Sequence, residues 1–231
     1  MSTPGGALRA TVRGVGELCI TVGLVALLFV AYQLAWTNVL AQQAQGRVTD
    51  EIREQWDRPA GSTRPAENLA GVDFGDGFAF LRIPRLGRNY SVPVIEGVAL
   101  DDLARGVGHY PKTAAPGEVG NFGVAGHRAT NGEPFAQLDR MRKGDVVVAE
   151  TQDTWFTYVV DRTRIVTPSD VWVIDPVPGR PKAEPTEALL TLTTCNPRWS
   201  STQRLIVFAH LEEARPKSAG PPLALARPDE A

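Results

Sequence analysis

A cysteine and an arginine nine residues apart are the residues of this sequence whose types and spacing best support chemistry. Cys195 ends the run ALLTLTTC, and Arg204 begins the run RLIVFAHL. Both runs favour strands, because the first alternates Leu with Thr and the second is rich in Ile, Val and Phe. If these strands are neighbours, Cys195 and Arg204 lie at their facing ends, where a thiolate nucleophile and an oxyanion-stabilising cation could act on the same substrate carbonyl. The alternative is a buried structural Cys beside a surface Arg, because Cys is among the most buried residue types.

A histidine would supply the acid and base that a thiolate nucleophile needs, and the chain has three. His127 ends the run NFGVAGH before a polar loop, and His109 lies in GVGHYP after a short helical segment. Both stay candidates, since loops at strand ends often carry sites and His109 can equally cap a helix. His210 follows Arg204 by six residues on one predicted strand, about 20 Å away at ~3.3 Å per residue. That distance excludes His210 from the site.

The runs that carry these residues belong to a series of seven short segments with strand character, each bounded by turn residues. The segments are FAFLRIP, SVPVIEGV, GNFGVAGH, DVVVAET, WFTYVVDRTRIV, ALLTLTTC and RLIVFAHL. Short helical pieces are predicted at 100–107 and 134–141, and a long ordered surface loop at 167–185. The spacing predicts a mainly β domain over 78–213, built as a closed or nearly closed antiparallel barrel or a sandwich.

A strongly apolar run, Leu18 to Trp36, precedes this domain. As a helix it covers about 28 Å, close to the thickness of one hydrocarbon core. Arg9 and Arg13 lie before the run and no acid precedes Glu17, so charge bias predicts a cytoplasmic segment 1–17 and a single transmembrane anchor 18–36. The run is longer than a signal-peptide core and no Ala-x-Ala site follows it, which disfavours a cleaved signal.

The regions that flank the β domain have the composition of connecting segments. Residues 37–77 are predicted to be an extracellular helix, over 38–57, followed by a linker rich in Gly and Pro that holds the domain off the membrane. Residues 214–231 are rich in Pro and Ala, which predicts a disordered tail.

Charge and cysteine content exclude several functions. A formal net charge of −2 gives no basis for binding nucleic acid. No spacing of Cys and His is typical of a metal site and no cofactor motif is present, so neither a metal nor a cofactor is predicted. The second cysteine, Cys19, lies in the apolar run, so the two cysteines are not expected to pair. Cys195 is then a free thiol outside the cell, where a lone thiol is potentially reactive.

The sequence TLTTC, with Arg nine residues on and a strand ending in GH 68 residues upstream, resembles the sortase signature. Sortases are cysteine transpeptidases that attach secreted proteins to the cell wall of Gram-positive bacteria. The resemblance covers about 78–213 and implies an eight-stranded β-barrel with short helices. It also implies the catalytic residues His127, Cys195 and Arg204, and so favours His127 over His109.

The stretch GVGHYPKTAAPGEVGNFGVAGHR, together with the N-terminal anchor, most resembles class E sortases of high-GC actinobacteria. That class implies a Leu-Ala-x-Thr-Gly sorting motif in place of Leu-Pro-x-Thr-Gly, with Tyr110 at the position implicated in the preference. The alternative for Tyr110 is a loop aromatic that packs a helix against the barrel. Thr193 and Thr194 flank the nucleophile and are candidate substrate contacts, one expected to face the site and the other the core.

The implied partners are secreted proteins with a C-terminal sorting signal and an amine on a lipid II-type peptidoglycan precursor, with the bilayer contacted through 18–36. Three other interpretations stay open. They are a pilin-polymerising sortase, a thiol hydrolase on the same scaffold, and a non-catalytic β-module tethered to the membrane.

Overall fold

Eight strands close into a barrel in the described part of the chain, which is residues 4–57, 73 and 75–226 of a computed structural model. The strands are β1 (Gly77–Arg82), β2 (Ser91–Glu96), β3 (Val107–His109), β4 (Gly120–Ala125), β5 (Val146–Glu150), β6 (Thr154–Val166), β7 (Ala188–Asn196) and β8 (Gln203–Pro216). The helices are α1 (Pro4–Trp56) and α2 (Leu100–Arg105). Short 3-10 helices are formed by Pro84–Leu86, Leu138–Arg140, Val171–Ile174, Lys217–Ala219 and Leu223–Leu225.

The barrel order is β1-β2-β3-β4-β7-β8-β6-β5, and it confirms the prediction of a mainly β, eight-stranded barrel. Two neighbouring pairs, β2 with β3 and β4 with β7, are parallel, and the other pairs are antiparallel. The seven segments with strand character all form strands. The strand that the pattern missed is β3, whose three residues are too few for alternation to be visible.

The core lies inside the barrel and follows from the two-residue period of its strands. On β7, the side chains of Leu190 and Leu192 point inward, and Thr191 and Thr193 lie on the outer face that carries Cys195. The inner cluster also contains large apolar side chains from the other strands, among them Phe78, Leu81, Val94, Phe122, Val124, Tyr158 and Val207.

Helix α1 is one continuous helix across the predicted boundary between the anchor and the extracellular helix. Its window Val12–Val30 has a mean hydropathy of 1.9, and none of its residues is buried. This helix is therefore long and apolar enough to cross a membrane, and the window overlaps the predicted span of 18–36.

The second half of α1 packs on the barrel. Val48 and Ile52 are buried against Phe80 of β1 and Ile95 of β2, and the Trp56 ring meets Phe80 edge-on at 5.3 Å. These helix residues recur every four positions, so they form one stripe. The predicted linker begins after this contact, and its residues 58–72 lie outside the described part of the chain.

The prediction of a disordered tail from residue 214 is wrong for residues 214–226. Strand β8 pairs with β6 as far as Pro216, which faces Thr154. The Lys217 ammonium lies 4.4 Å from the centre of the Trp56 ring and 4.6 Å from that of Trp155, and it pairs with the Glu150 carboxylate at 2.5 Å. The Pro- and Ala-rich composition hid these long-range contacts, which order the segment.

Replacing Ile52 by Ala is expected to loosen the end of α1, because removing buried methyl groups leaves a cavity that costs about 2–4 kcal/mol. Hydrogen exchange read by mass spectrometry should show faster exchange over residues 44–56, while peptides from the barrel stay protected. The matched control is Leu40→Ala on the exposed side of the same helix. Equal exchange in the two variants would contradict the packing of α1 on the barrel.

Candidate active site

Three neighbouring strands bring the predicted catalytic residues to one end of the barrel. In the parallel pair of β4 and β7, Ala125 lies beside Thr193, and the Gly126 amide donates to the Thr193 carbonyl oxygen at 3.1 Å. His127 and Cys195 each lie two residues beyond this pair. In the antiparallel pair of β7 and β8, Cys195 lies directly beside Arg204. The strand register thus brings His127, Cys195 and Arg204 together.

The Cys195 backbone is held in place by a residue that the sequence prediction missed, Arg128. Its buried guanidinium donates from Nη1 to the Cys195 carbonyl oxygen at 3.3 Å and to the Asn196 side-chain oxygen at 2.6 Å. Nη2 pairs with the Asp139 carboxylate at 3.1 Å. Because Arg128 directly follows His127, one dipeptide supplies both a candidate acid–base group and a support for the nucleophile's strand.

His127 is half-buried, and its ring is oriented by the loop that follows it. The Asn131 side-chain nitrogen lies 3.1 Å from His127 Nε2, so it donates to this nitrogen when the ring proton is on Nδ1. Asn131 has a φ of +53°, a left-handed conformation that Asn tolerates better than most residues. Burial lowers the pKa of His127 below its ordinary value, because the protonated ring is charged and loses hydration.

The Arg204 guanidinium is bonded within its own loop. Its Nη1 donates to the carbonyl oxygens of Ser201 at 2.8 Å and of Gln203 at 3.0 Å. Both acceptors are neutral carbonyls, so the charge of Arg204 is not neutralised by them. A permanent cation with several donors beside a thiol is suited to stabilising an oxyanion.

The two threonines before Cys195 have different partners. The Thr193 hydroxyl lies 2.9 Å from the Tyr110 hydroxyl, on the outer face that carries Cys195. The Thr194 hydroxyl donates to the Gly126 carbonyl oxygen at 2.7 Å and ties β7 to the end of β4. Tyr110 thus contacts the floor of the site.

The Tyr110 ring packs close to a glycine of β4, Gly123. A Cβ on Gly123 would lie 3.2 Å from Tyr110 Cδ2, and the Tyr110 amide donates to the Gly123 carbonyl oxygen at 2.9 Å. A larger residue at 123 would push the ring away from Thr193.

The segment between β6 and β7 crosses the outer face of the barrel and is fixed there by Asn121, which the sequence prediction also missed. The buried Asn121 amide donates to the carbonyl oxygens of Val173 at 3.2 Å and Asp175 at 3.0 Å, and it accepts from the Thr191 hydroxyl at 2.8 Å. Val173 packs with Phe208 in a second apolar cluster. This segment therefore forms a wall beside the row of Thr191, Thr193 and Cys195.

Beyond this wall, a cleft of about 870 Å³ lies along the outer face of β6. Three arginines line this cleft, Arg162, Arg164 and Arg180. Gln203 also lines it, so the edge of the cleft lies next to Arg204. Two of the arginines lie over aromatic rings, with Arg162 4.5 Å from the centre of Phe208 and Arg164 5.2 Å from that of Trp172.

The other two histidines serve the structure. His109 is buried in the barrel, with Nδ1 2.6 Å from the Glu96 carboxylate and Nε2 2.8 Å from the Thr113 hydroxyl. His210 pairs with Asp161 at 2.9 Å on β8, far from Arg204 along the strand. Both histidines therefore lie away from the site at the ends of β4 and β7 and the start of β8.

The arrangement has the parts needed for acyl transfer through a thiol. It combines a nucleophile, a neutral imidazole that can take and return a proton, and a cation for the developing oxyanion. The described residues contain no group of three or more His, Cys, Asp or Glu side chains arranged to hold a metal ion.

Residues 81–212 match the family model described as the Sortase domain. The chain is 43% identical over 233 residues to sortase SrtE1 of Streptomyces coelicolor, a match that covers 96% of this chain and 63% of that protein. The chain therefore spans less than two thirds of the length of that relative.

Two of the solved structures that are similar to this chain are sortase E structures. Sortase E from Streptomyces avermitilis is 48% identical with a TM-score of 0.61, and the match covers 67% of this chain and 99% of that chain. Sortase E1 from Streptomyces coelicolor, solved with a tripeptide in the active site, is 42% identical with a TM-score of 0.60, covering 66% of this chain and 98% of that chain.

The lowered pKa of His127 predicts how stability depends on pH. The unfolded chain, with an ordinary His pKa of about 6.5, binds the proton more readily than the folded chain. The contribution of His127 to stability is therefore present above about pH 6.5 and lost as the pH falls towards the folded-state pKa. The free energy of unfolding of the wild type minus that of His127→Gln, from urea titrations, should rise with pH in this window. A difference that is flat or falls with pH would contradict the lowered pKa.

His109→Phe is expected to destabilise the barrel by about 1–3 kcal/mol, because it leaves the buried Glu96 carboxylate without its partner. Urea unfolding measures this loss. The matched control is His210→Phe, where the half-exposed pair with Asp161 is worth less than about 1 kcal/mol. A larger loss at His210 than at His109 would contradict the structural role assigned to His109.

Proposed function

The chain belongs to the sortase family of cysteine transpeptidases, and we propose that it cleaves the Thr–Gly bond of a C-terminal sorting motif and transfers the acyl group to an amine of a cell-wall precursor. The favoured motif is Leu-Ala-x-Thr-Gly, with Leu-Pro-x-Thr-Gly as a poorer substrate. The observation that carries this proposal is the alignment of His127, Cys195 and Arg204 at three neighbouring strand ends.

In the first step, the Cys195 thiolate attacks the carbonyl carbon of the substrate threonine. The C–S bond forms, the Thr–Gly bond breaks, and the protonated His127 ring gives its proton to the departing glycine amine. The product is a thioester on Cys195, and the glycine-bearing C-terminal piece leaves.

In the second step, the amine of the cell-wall precursor attacks the thioester carbonyl. The neutral His127 ring takes the proton from this amine, the new amide bond forms, and the C–S bond breaks to release the Cys195 thiolate. The thiolate and the imidazolium are then both restored, so the cycle needs no further proton source.

Arg204 stabilises the tetrahedral oxyanion in both steps. Its Nη1 already bonds neutral carbonyl oxygens of Ser201 and Gln203, and an oxyanion is a stronger acceptor than either. The substrate oxygen therefore competes well for the same guanidinium as charge develops, which favours the transition state over the ground state.

The first step needs a thiolate on Cys195 and a proton on His127 at the same time. The lowered pKa of His127 reduces the imidazolium share, whereas attraction between the two charges raises it. The rate should therefore follow a bell-shaped pH profile.

Preference for the motif is assigned to Tyr110. Its hydroxyl pairs with Thr193 on the face that carries the thiol, two residues before Cys195. This phenol is therefore close to where residues of the motif before the cleaved bond would lie. An Ala in the motif leaves a backbone N–H that Pro lacks, so a phenol oxygen here has a donor to accept from only in the Leu-Ala motif.

The protein is proposed to be anchored in the cell membrane by the first part of α1, with its N-terminus inside and the barrel outside. The two arginines before the apolar run favour this orientation. Secreted proteins with a sorting signal and a lipid II-type amine are the proposed partners.

The test is to incubate the full chain in detergent with matched Leu-Ala-x-Thr-Gly and Leu-Pro-x-Thr-Gly peptides and a glycine-based amine. Mass spectrometry should detect a thioester on Cys195 and a peptide joined to the amine, and Cys195→Ala should give neither while staying folded. Release of free acid alone, with the amine present, would indicate a thiol hydrolase. Cleavage of neither peptide by a folded protein would overturn the assignment.

Two substitutions test the assigned roles. Arg204→Ala is expected to lower kcat by about 10²–10³, the effect of losing one oxyanion donor. Tyr110→Phe should reduce the ratio of kcat/KM for the Leu-Ala over the Leu-Pro peptide by about tenfold, the value of one hydrogen bond of about 1.4 kcal/mol. An unchanged ratio would leave Tyr110 as a packing residue.

A further inference from the structure

Helix α1 faces the barrel along a stripe that extends beyond its apolar packing. The stripe recurs at three- and four-residue spacing: Asn38, Ala41, Gln45, Val48, Ile52 and Trp56. Its later half is apolar and packs on β1 and β2. Its earlier half begins two residues after Trp36 and carries two amide side chains.

These amides bind the loop that follows His127. The Asn38 side-chain oxygen accepts from the Gly132 backbone nitrogen at 3.2 Å, and its nitrogen donates to the Glu133 carboxylate at 3.4 Å. The Gln45 side-chain nitrogen donates to the Asn131 carbonyl oxygen at 3.4 Å. All three loop residues have left-handed backbones, with φ of 53° at Asn131, 76° at Gly132 and 50° at Glu133.

The same loop is joined to both sides of the thiol. Asn131 contacts the His127 ring, and the Glu133 carboxylate pairs with Arg198 in the loop between β7 and β8. We call residues 127–133 and 196–203 the catalytic rim. The rim is thus tied to α1 at the level of Asn38.

The helix sets the height of this rim above a membrane. At about 1.5 Å per residue, Asn38 lies about 3 Å along the helix axis from Trp36 and about 12 Å from Val30, where the apolar window ends. The exposed rings of Tyr32 and Trp36 stack at 5.8 Å, an arrangement that suits the aromatic belt at a membrane interface. Trp56, at the other end of the barrel contact, lies about 27 Å beyond Asn38.

The rim carries side chains suited to that interface. Trp199 is 68% exposed, and the Arg198 guanidinium lies 5.4 Å from the centre of its ring. Tryptophan concentrates at the level of lipid headgroups, and arginine binds their phosphates. We propose that the catalytic rim rests on the bilayer surface with Trp199 among the headgroups, so that α1 both anchors the barrel and turns its active site towards the membrane.

The inference rests on the proposed membrane anchor and deepens the proposed function. The thioester on Cys195 then faces the headgroup layer of the membrane, where an amine carried on a lipid headgroup would lie. An amine carried on a lipid therefore reaches the site by moving along the membrane, whereas a water-soluble amine must enter between the rim and the bilayer.

Tryptophan quenching tests the position of the rim. The full chain is reconstituted into vesicles of phosphatidylglycerol and phosphatidylethanolamine whose acyl chains are brominated near the headgroup. The emission of Trp199 is obtained as the difference between the wild type and Trp199→Phe. This emission is expected to be quenched in the brominated vesicles and not in unbrominated ones. The emission lost in Trp36→Phe should be quenched as well, which reports on the anchor separately.

The matched control moves the tryptophan to the opposite end of the barrel. Leu223 is 80% exposed and follows Lys217, which contacts Trp56. Leu223→Trp is added to the Trp199→Phe variant. The emission that this new tryptophan contributes should not be quenched by the brominated lipids. An unquenched Trp199 beside a quenched Trp36 overturns the inference and leaves the anchor standing. No quenching of Trp199 or of Trp36 overturns both the inference and the membrane anchor. Equal quenching at positions 199 and 223 contradicts the proposed orientation of the barrel.

A helix insertion tests whether α1 sets the height. Seven alanines between Thr37 and Asn38 add two turns, which keep the stripe within about 20° of its direction and lift the rim by about 10 Å. Trp199 is expected to lose its quenching, and transfer to an amine on a vesicle-bound lipid should fall while cleavage of a water-soluble peptide is retained. If Trp199 stays quenched, or if both activities fall together, the helix does not hold the rim against the membrane.

Discussion

The register between β4, β7 and β8 is the constraint on which the site depends. Side chains alternate between the two faces of a strand, so a slip of one residue along β7 would turn Cys195 inward and Thr194 outward. Leu190 and Leu192 resist this slip from inside the barrel, because exposing them loses about 1.5–3 kcal/mol each. On the outer face, hydrogen bonds from Thr191 to Asn121 and between Thr193 and Tyr110 fit the same register. The thiol is therefore aimed by the packing of the whole strand.

Buried polar side chains hold the loops that strand pairing does not fix in place. Arg128 holds the end of β7 from the loop that follows β4, and Asn121 on β4 holds the segment after β6. Each makes several hydrogen bonds, and losing the Asn121 amide would remove a partner from the Thr191 hydroxyl and the Val173 carbonyl oxygen, at about 1–3 kcal/mol for each buried group. The candidate catalytic side chains themselves have weaker restraints. His127 is held by one amide, and Arg204 by carbonyls of its own loop, which leaves both free to respond to a substrate.

The sequence predicted most of the barrel, because seven strands are long enough for their alternation or their β-branched content to be recognised. It also identified Cys195 and Arg204 as neighbours from their positions at strand ends. Local pattern left His127 and His109 as alternatives, and the resemblance to sortases favoured His127. What separates them physically is pairing between distant strands, which buries His109 against Glu96 and joins the end of β4, two residues before His127, to Thr193, two residues before Cys195.

The features that the sequence did not reveal are those made by distant contacts. Arg128, Asn121 and Asn131 are ordinary polar residues in the sequence, and their partners lie on other strands or in other turns of the chain. Strand β3 is too short to carry a pattern. The order of residues 214–226 comes from pairing with β6 and from Lys217, none of which composition can show.

The position of Lys217 between Trp56 and Trp155 has a practical meaning for handling the protein. It fastens the end of β8 to the end of α1 at the pole of the barrel farthest from Cys195. The described part of the chain ends nine residues after Lys217, and the exposed Leu223 lies in between. A reporter or affinity matrix coupled there would hold the enzyme with its reactive thiol pointing outward, accessible to large protein substrates.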